Sequence, residues 1–140
     1  MVHRQRLKTP PSKVRSRNMR AVRGKDTEPE IAVRKIAHRL GLRFRLHCRN
    51  LPGRPDLVFP RWRTVVFVNG CFWHQHRNCR RAKLPRTNRS FWRAKLRRNA
   101  ERDLDNYSRL RRAGWRVRIV WECNTHKGSI EATLRRWFAK

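Results

Sequence analysis

A cluster of potential metal ligands constrains the fold of this chain more than any other sequence feature. Cys71, His76 and Cys79 lie within nine residues of one another, and Cys123 lies much further along the chain. Three cysteines and one histidine form a closed tetrahedral zinc set, and structural zinc contributes folding free energy directly. Such a site would tie an irregular loop to a distant strand end. His74 is an alternative to His76 as the ligand, and ordinary reduced cysteines beside surface histidines are the alternative to a metal site.

The charge of the chain points to a polyanionic partner. Its 140 residues include 38 Lys+Arg and 9 Asp+Glu, which gives a formal net charge of +29. Nucleic acid is the leading partner class for such a chain, and a ribosome-like structural binder or a polybasic membrane-surface protein is the alternative. Six Trp, six Phe and one Tyr argue against a chain that is disordered and basic throughout, because such chains lack the apolar residues for a core. We find neither an apolar run of about 20 residues nor a secretory signal, so a cytoplasmic location is expected.

Hydrophobic periodicity and turn signals predict one α/β domain. Residues 1–12 are expected to be a flexible basic tail, followed by a domain over 13–140 that begins with a short basic helix. A capping box from Thr27 to Glu30 predicts a helix start, and Gly41 marks its end. A long helix is predicted over 89–112, and Ser129 could cap a last helix. Alternating or apolar runs predict strands over 44–48, which includes Cys48 as a core residue, and over 56–59, 64–68 and 115–121. The expected fold is a mixed central sheet flanked by helices.

Acidic residues are rare enough here that each needs a reason. Asp56 starts a buried strand, and one carboxylate with water ligands suffices for Mg²⁺, which phosphodiester hydrolysis uses to neutralise phosphate. Asp56 is alternatively part of a common Pro-Asp turn. His74 could accept a proton from the attacking water near neutral pH. Glu30 and Asp103 could each reach the site, although the first caps a helix and the second could simply pair with arginine.

Large aromatic residues accompany the ligand cluster. Phe72 and Trp73 lie between the predicted ligands, and Trp92 lies near the start of the long helix. Aromatic side chains on a rigid loop among arginines can stack on bases or insert between them. Core packing is the alternative for all three residues.

Several motifs together resemble one known family. They are LPGRPD at 51–56, VFVNGCFWH at 66–74 and WRVRIVWEC at 115–123. SRNM at 16–19, TNRSFW at 87–92 and NAERD at 99–103 follow in the matching order. The chain resembles the very short patch repair (Vsr) endonucleases over about residues 14 to 138. The resemblance implies a restriction-endonuclease-like core and a bacterial, nucleoid-associated enzyme that nicks duplex DNA 5′ to the T of a T:G mispair, as arises from deaminated 5-methylcytosine.

The resemblance also implies roles for individual residues. Asp56 and the backbone carbonyl of Val68 would hold catalytic Mg²⁺, with His74 as general base. Glu30 and Asp103 would support His74 and water in the site. Structural zinc would be held by Cys71, His76, Cys79 and Cys123. Phe72, Trp73 and Trp92 would insert into DNA from the major-groove side, and the minor groove would be reached by Arg15, Arg17, Arg20 and Arg23.

The chain departs from the resemblance at three places. Val68 replaces a threonine, which matters little if only its carbonyl is used, and one extra residue lies between His76 and Cys79. The third departure is Asn69. Asn69 stands where the best-known members carry a histidine that contributes to phosphate-side catalysis. An asparagine can donate a hydrogen bond but cannot act as an acid, so nearby arginines would have to supply charge, or activity would be reduced. The alternative functions are a non-catalytic zinc-containing DNA-binding protein and a related nuclease with a different recognition site. We expect a monomer, with mismatch-repair factors as possible partners.

Overall fold

The computed structural model describes residues 26–139, so the predicted tail over 1–12 and the predicted helix over 13–23 lie outside the described residues. Within that range the helices are α1 (Glu28–Arg39), α2 (Arg89–Arg112) and α3 (Lys127–Trp137). The strands are β1 (Leu57–Phe59), β2 (Thr64–Asn69) and β3 (Arg116–Trp121). Short 3₁₀ turns occupy Pro60–Trp62, Arg80–Ala82 and Glu122–Asn124. In this part of the chain, none of the helices combines the length and apolar character that a membrane span requires.

The strands form a mixed sheet in the order β1-β2-β3. β1 pairs antiparallel with β2, and β2 pairs in parallel with β3 from Thr64–Arg116 to Asn69–Trp121. A parallel pair needs a long crossover connection, which the loop after β2 and the helix α2 provide. The α/β class and the mixed sheet flanked by helices are therefore confirmed, while the restriction-endonuclease-like core remains a prediction.

Alternation along the strands divides the core between the two faces of the sheet. On one face, Leu57, Phe59, Val66 and Val120 pack with residues of α1 and α3. On the other face, Val58, Val65 and Phe67 pack against Tyr107 and Leu110 of α2. Because successive side chains of a strand point to opposite faces, Asn69 shares the α2 face with Phe67. This register matters for the site, since it turns the last residue of β2 towards the middle of α2.

The first helix begins as the sequence predicts. The Thr27 hydroxyl accepts a hydrogen bond from the Glu30 N–H, and the Glu30 carboxylate accepts one from the Thr27 N–H, so the capping box is complete. Pro29 lies in the first turn, where its missing N–H costs nothing. Leu40 is the C-cap and Gly41 follows with a positive φ of 78°. The cap fixes the position of the Glu30 side chain, which is buried.

Two predicted elements differ in the structure. The strand expected over 44–48 is reduced to one isolated bridge between Arg45 and Val58, because β1 is only three residues long and offers little to pair with. Cys48 is half-buried and packs against the core on the α2 face. Ser129 was expected to cap the last helix, but α3 begins at Lys127 after the N-cap His126. The prediction of Ser129 as a cap is therefore wrong, since that residue lies inside the first turn.

Candidate active site and metal centre

One cleft of about 710 Å³ collects most of the predicted catalytic residues. Its walls come from the start of α1, the turn before β1, the end of β2 with the following loop, and the middle of α2. The predicted residues in its lining are Glu30, Asp56, Val68, Asn69, His74 and Asp103. The cleft thus brings together side chains that are separated by up to 73 positions in the chain, from 30 to 103.

Asp56 lies in an environment that disfavours an isolated negative charge. Its carboxylate accepts a hydrogen bond of 2.6 Å from the Val68 N–H. The pKa of the Asp56 carboxyl is raised to about 7, first by burial and then by the adjacent Glu30 carboxylate, although the Val68 N–H lowers it. Glu30 is itself held by its own cap and by Arg34, whose guanidinium donates to it at 3.3 Å. Two neighbouring carboxylates of this kind need either a proton or a cation between them.

His74 is oriented by an acidic partner on α2. Its Nδ1 lies 2.6 Å from the Asp103 carboxylate. A carboxylate can only accept a hydrogen bond, so the proton of neutral His74 resides on Nδ1 and Nε2 keeps its lone pair. Both side chains are partly exposed in the cleft. Asp103, rather than Glu30, is therefore the residue that sets the orientation and tautomer of His74.

Asn69 is buried and points at α2. Its side-chain amide donates a hydrogen bond of 3.0 Å to the hydroxyl of Tyr107. Both residues line the cleft. Helical spacing within the helix predicted over 89–112 places Tyr107 only on an apolar face, so its contact with Asn69 is not evident from the sequence.

The predicted metal ligands form a compact cluster. The ligand atoms of Cys71, His76, Cys79 and Cys123 all lie within 4.8 Å of one another. The His76 Nδ1 is 3.6 Å from the Cys71 sulfur and 3.5 Å from the Cys123 sulfur. Ligands about 2.0–2.3 Å from a tetrahedral ion lie at similar separations from each other. The four side chains can therefore hold a metal ion, and His74, which is engaged by Asp103, lies outside the cluster.

The chemistry of the donors fits a soft or borderline cation. Burial raises the pKa of the Cys71 thiol to about 12, so a thiolate there requires a positive ion beside it. The His76 ring stacks on Trp121 with centroids 4.1 Å apart and an interplanar angle of 10°. This stacking fixes the imidazole plane and directs Nδ1 at the sulfurs.

Glu122 connects the cluster to the cleft. Its carboxylate accepts a hydrogen bond of 3.2 Å from the Cys71 N–H, and it also lines the cleft. Arg81 lies 3.7 Å from the other carboxylate oxygen. The loop that carries the ligands is therefore fastened to the end of β3 by a side chain as well as by Cys123.

The three predicted DNA-contacting aromatic residues pack on one another. Trp73 and Trp92 are buried with Leu96, and Phe72 is partly buried beside them. Ring centroids are 5.0 Å apart for Phe72–Trp73, 5.5 Å for Phe72–Trp92 and 5.8 Å for Trp73–Trp92, all in edge-on arrangements. In the free protein these rings fill a small core of their own, with Phe72 as the more accessible member.

Five further arginine, asparagine and tyrosine side chains line the cleft, and the sequence alone suggests no role for them there. They are Arg54, Asn99, Arg102, Asn106 and Tyr107. The four residues from α2 follow helical spacing around Asp103, which is a signal that could have found them once Asp103 was selected. The predicted minor-groove arginines, Arg15, Arg17, Arg20 and Arg23, lie outside the described residues.

Comparison with known proteins gives a consistent relationship. The family profile of the DNA mismatch endonuclease Vsr matches residues 9–81. The Type II nicking enzyme V.XorIIP of Xanthomonas oryzae pv. oryzae is 48% identical over 118 residues, which are 84% of this chain and 86% of that protein. The DNA mismatch endonuclease Vsr of Escherichia coli K12 is 48% identical over 109 residues, 78% of this chain and 69% of that protein. V.NmeAIP, a Type II nicking enzyme of Neisseria meningitidis, is 39% identical over 116 residues, 83% of this chain and 82% of that protein.

The profile match spans more than half of the chain, and these relatives exceed 30% identity over most of their own length. The chain therefore belongs to the Vsr family of DNA endonucleases.

Proposed function

We propose that this protein nicks duplex DNA 5′ to the T of a T:G mispair, in a Mg²⁺-dependent reaction. The observation that carries the proposal is the cleft itself, in which the oriented His74–Asp103 pair faces the buried Asp56–Glu30 pair. A base and an acidic cation site at one location are the two requirements of phosphodiester hydrolysis. A basic surface outside the cleft supplies the affinity for the DNA backbone.

Asp56 and the backbone carbonyl of Val68 would hold Mg²⁺. The acidic pair of Asp56 and Glu30 fits a cation. Burial and the Glu30 carboxylate raise the pKa of Asp56 to about 7, and a bound cation would offset the repulsion between the two carboxylates in place of a proton. When bound, Mg²⁺ supplies positive charge that neutralises the phosphate and lowers the pKa of water. The Glu30 carboxylate is held in place by the helix cap and by Arg34, and its charge acts on the neighbouring Asp56 carboxyl.

His74 acts as the general base. With Nδ1 bound to Asp103, its Nε2 accepts a proton from the attacking water. The water oxygen forms a bond to phosphorus, and the bond to the 3′ oxygen of the preceding nucleotide breaks. Asp103 stabilises the imidazolium that results. Asn69 takes no proton in this scheme, because its amide is only a hydrogen-bond donor and acceptor.

The arginines of the cleft and the remaining predicted residues would bind DNA or a structural metal ion. Arg54 and Arg102 in the cleft wall are suited to phosphate oxygens. Phe72, Trp73 and Trp92 would contact the bases at the mispair, with Phe72 stacking first because it is the most accessible of the three. Arg15, Arg17, Arg20 and Arg23 would reach the minor groove. Zinc is the ion we propose for the cluster of Cys71, His76, Cys79 and Cys123.

A strand-resolved cleavage assay with Mg²⁺ tests the function. Two duplexes differ only in a T:G pair against a C:G pair. We expect a nick on the T strand of the mispaired duplex alone. Nicking of both duplexes, or of a different sequence, would favour a related nuclease with another recognition site, an outcome compatible with relatives named as Type II nicking enzymes. Tight binding without any nick would favour a non-catalytic DNA-binding protein.

The variant Asp56→Ala tests the assignment of the acidic site. We expect nicking to be abolished while DNA binding is kept or strengthened, because a negative charge near the phosphate is removed. Asp105→Ala is the matched control, since Asp105 is an exposed acid on α2 outside the cleft lining. Weaker binding by Asp56→Ala, with Asp105→Ala unaffected, would contradict the role of Asp56.

A further inference from the structure

The contact between Asn69 and Tyr107 gives the cleft a hydroxyl of fixed position. The Asn69 amide nitrogen donates to the Tyr107 oxygen at 3.0 Å, and both side chains are buried, with exposed fractions of 3% and 7%. Tyr107 packs its ring against Phe67 with centroids 5.0 Å apart. The Tyr107 ring, which extends from α2, is therefore packed against the sheet, and its oxygen cannot turn away from the cleft without loss of this packing.

The hydroxyl proton of Tyr107 is available to a ligand. Its oxygen accepts from Asn69, so its own O–H must point elsewhere. Among residues 26–139, Asn69 is the hydrogen-bond partner that the structure gives to this hydroxyl. Since Tyr107 lines the cleft, an anionic oxygen bound there can accept the proton in a hydrogen bond.

The surroundings keep this hydroxyl protonated. Burial raises the pKa of Tyr107 to about 12, and the charges of Asp103 and Asp56 act in the same direction. The phenol is thus a neutral hydrogen-bond donor at neutral pH. Because the charges of Asp103 and Asp56 act on Tyr107, its hydroxyl lies near the carboxylate that orients His74 and near the buried acidic pair.

We propose that the Tyr107 hydroxyl, held by Asn69, donates a hydrogen bond to a non-bridging oxygen of the scissile phosphate. This inference rests on the proposed nicking function and assigns a substrate contact that the family resemblance did not supply. A phosphate oxygen is favoured over a base because His74 and Asp56, which act on the phosphate, share the cleft with Tyr107. Of the aromatic residues suited to bases, Trp73 also lines the cleft, whereas Phe72 and Trp92 pack beside it outside the cleft lining. A neutral donor aimed at developing negative charge stabilises the transition state.

Tyr107→Phe tests the contact because it removes the hydroxyl and keeps the ring against Phe67. We expect the single-turnover nicking rate to fall roughly 10- to 100-fold, with DNA affinity changed by less than about threefold. Thr64→Val is the matched control: Thr64 also has a buried hydroxyl with one hydrogen bond, to the Trp62 carbonyl, but it lies outside the cleft lining. This control should nick at the rate of the unmodified protein.

Phosphorothioate substrates separate a phosphate contact from a structural role. A sulfur replaces one or the other non-bridging oxygen at the scissile position. In the unmodified protein, the diastereomer whose sulfur faces Tyr107 should be nicked more slowly than the other diastereomer, and equally so in Mg²⁺ and in Mn²⁺. Slow nicking caused by a lost metal contact would instead be restored by Mn²⁺, which binds sulfur better than Mg²⁺ does. In Tyr107→Phe this additional slowing should disappear.

The outcomes distinguish the two proposals. If the unmodified protein nicks the T:G duplex but Tyr107→Phe nicks within twofold of it, the tyrosine contact is wrong and the function stands. The contact is also wrong if Tyr107→Phe is slow but keeps the full preference between diastereomers. If the unmodified protein nicks no duplex at all, both proposals fail.

Discussion

At the scale of single residues, acidic side chains are scarce and most of them share one cleft. Five of the nine acids in the chain line it: Glu28, Glu30, Asp56, Asp103 and Glu122. In a protein with a net charge of +29, this local concentration of negative charge is opposite in sign to the rest of the molecule. The cleft is therefore the place in the described part of the chain where a divalent cation is best accommodated, and where single substitutions should have the largest effects on chemistry.

Asp56 should make stability without Mg²⁺ depend on pH. The pKa of Asp56 is about 7 in the folded protein, against the ordinary value of 3.8. Because the folded state binds this proton more tightly than the unfolded state does, the free energy of unfolding is highest below about pH 4 and falls as the pH rises through 7. In Asp56→Asn the side chain at this position is neutral at every pH. We expect the melting temperature of Asp56→Asn to exceed that of the unmodified protein by a margin that grows from pH 5.5 to 8 in Mg²⁺-free buffer. A margin independent of pH would contradict the raised pKa.

Asp103 should control catalysis through the tautomer of His74. Asp103→Asn removes the charge that holds the proton on Nδ1 and stabilises the imidazolium. The nicking rate at saturating protein should fall roughly 10²- to 10⁴-fold with little change in DNA affinity. Asp105→Asn, an exposed position on the same helix, is the control and should retain full activity. Equal rates for the two variants would mean that Asp103 does not act through His74 in the reaction.

The sequence was informative about residues whose type alone implies chemistry. Asp56 and His74 could be selected because a buried acid and a histidine in a ligand-rich loop have few other uses, and the structure brings both to one cleft. It could not decide between His74 and His76 as the metal ligand, since that depends on which ring faces the sulfurs. Tyr107 was missed because helical spacing places it among apolar residues, and only the fold shows that its hydroxyl meets Asn69.

At the scale of elements, local signals predicted helices better than strands. The capping box at Thr27 and the glycine after Leu40 gave α1 its ends because both act within one turn. The alternating run over 44–48 was wrong as a strand, since pairing depends on a partner distant in sequence, and β1 supplies only a bridge from Val58. Ser129 was wrong as a cap because Ser and Thr mark a helix start only when the preceding residue is not already helical.

The connection between the ligand loop and β3 should depend on Cys123. Cys123→Ser removes one of the four clustered ligands, so zinc content should fall from about one ion per chain to near none, with a marked drop in melting temperature. Cys48→Ser is the control, because Cys48 is half-buried in the core away from the cluster. It should keep its zinc and lose only a little stability. Full zinc content in Cys123→Ser would remove that residue from the ligand set.

At the scale of the whole molecule, each face of the sheet has its own apolar core. α1 and α3 cover one face and α2 covers the other, and the start of α1 and the middle of α2 both contribute walls of the cleft. The class of this fold could be predicted from the order of its elements. The pairing of β2 with both β1 and β3 could not, because strand order is set by long-range packing.

The overall charge should make DNA binding strongly dependent on salt. Each phosphate neutralised contributes about −0.9 to the slope of log K against log salt concentration. If about six to ten phosphates are contacted, affinity falls roughly 10³- to 10⁵-fold between about 50 and 200 mM salt. Single-turnover nicking at saturating protein is the control and should change far less. A slope near zero would contradict backbone binding as the main source of affinity.

The composition of the short segment from Val68 to His76 limits which sequence changes it can tolerate in evolution. Cleft residues, metal ligands and aromatic rings alternate along it almost residue by residue. Insertion of even one residue would displace all three sets at once, so this stretch can vary by substitution but not in length. Since the same loop carries His74, a chain that has not assembled its ligand cluster also lacks the fixed contact between His74 and Asp103.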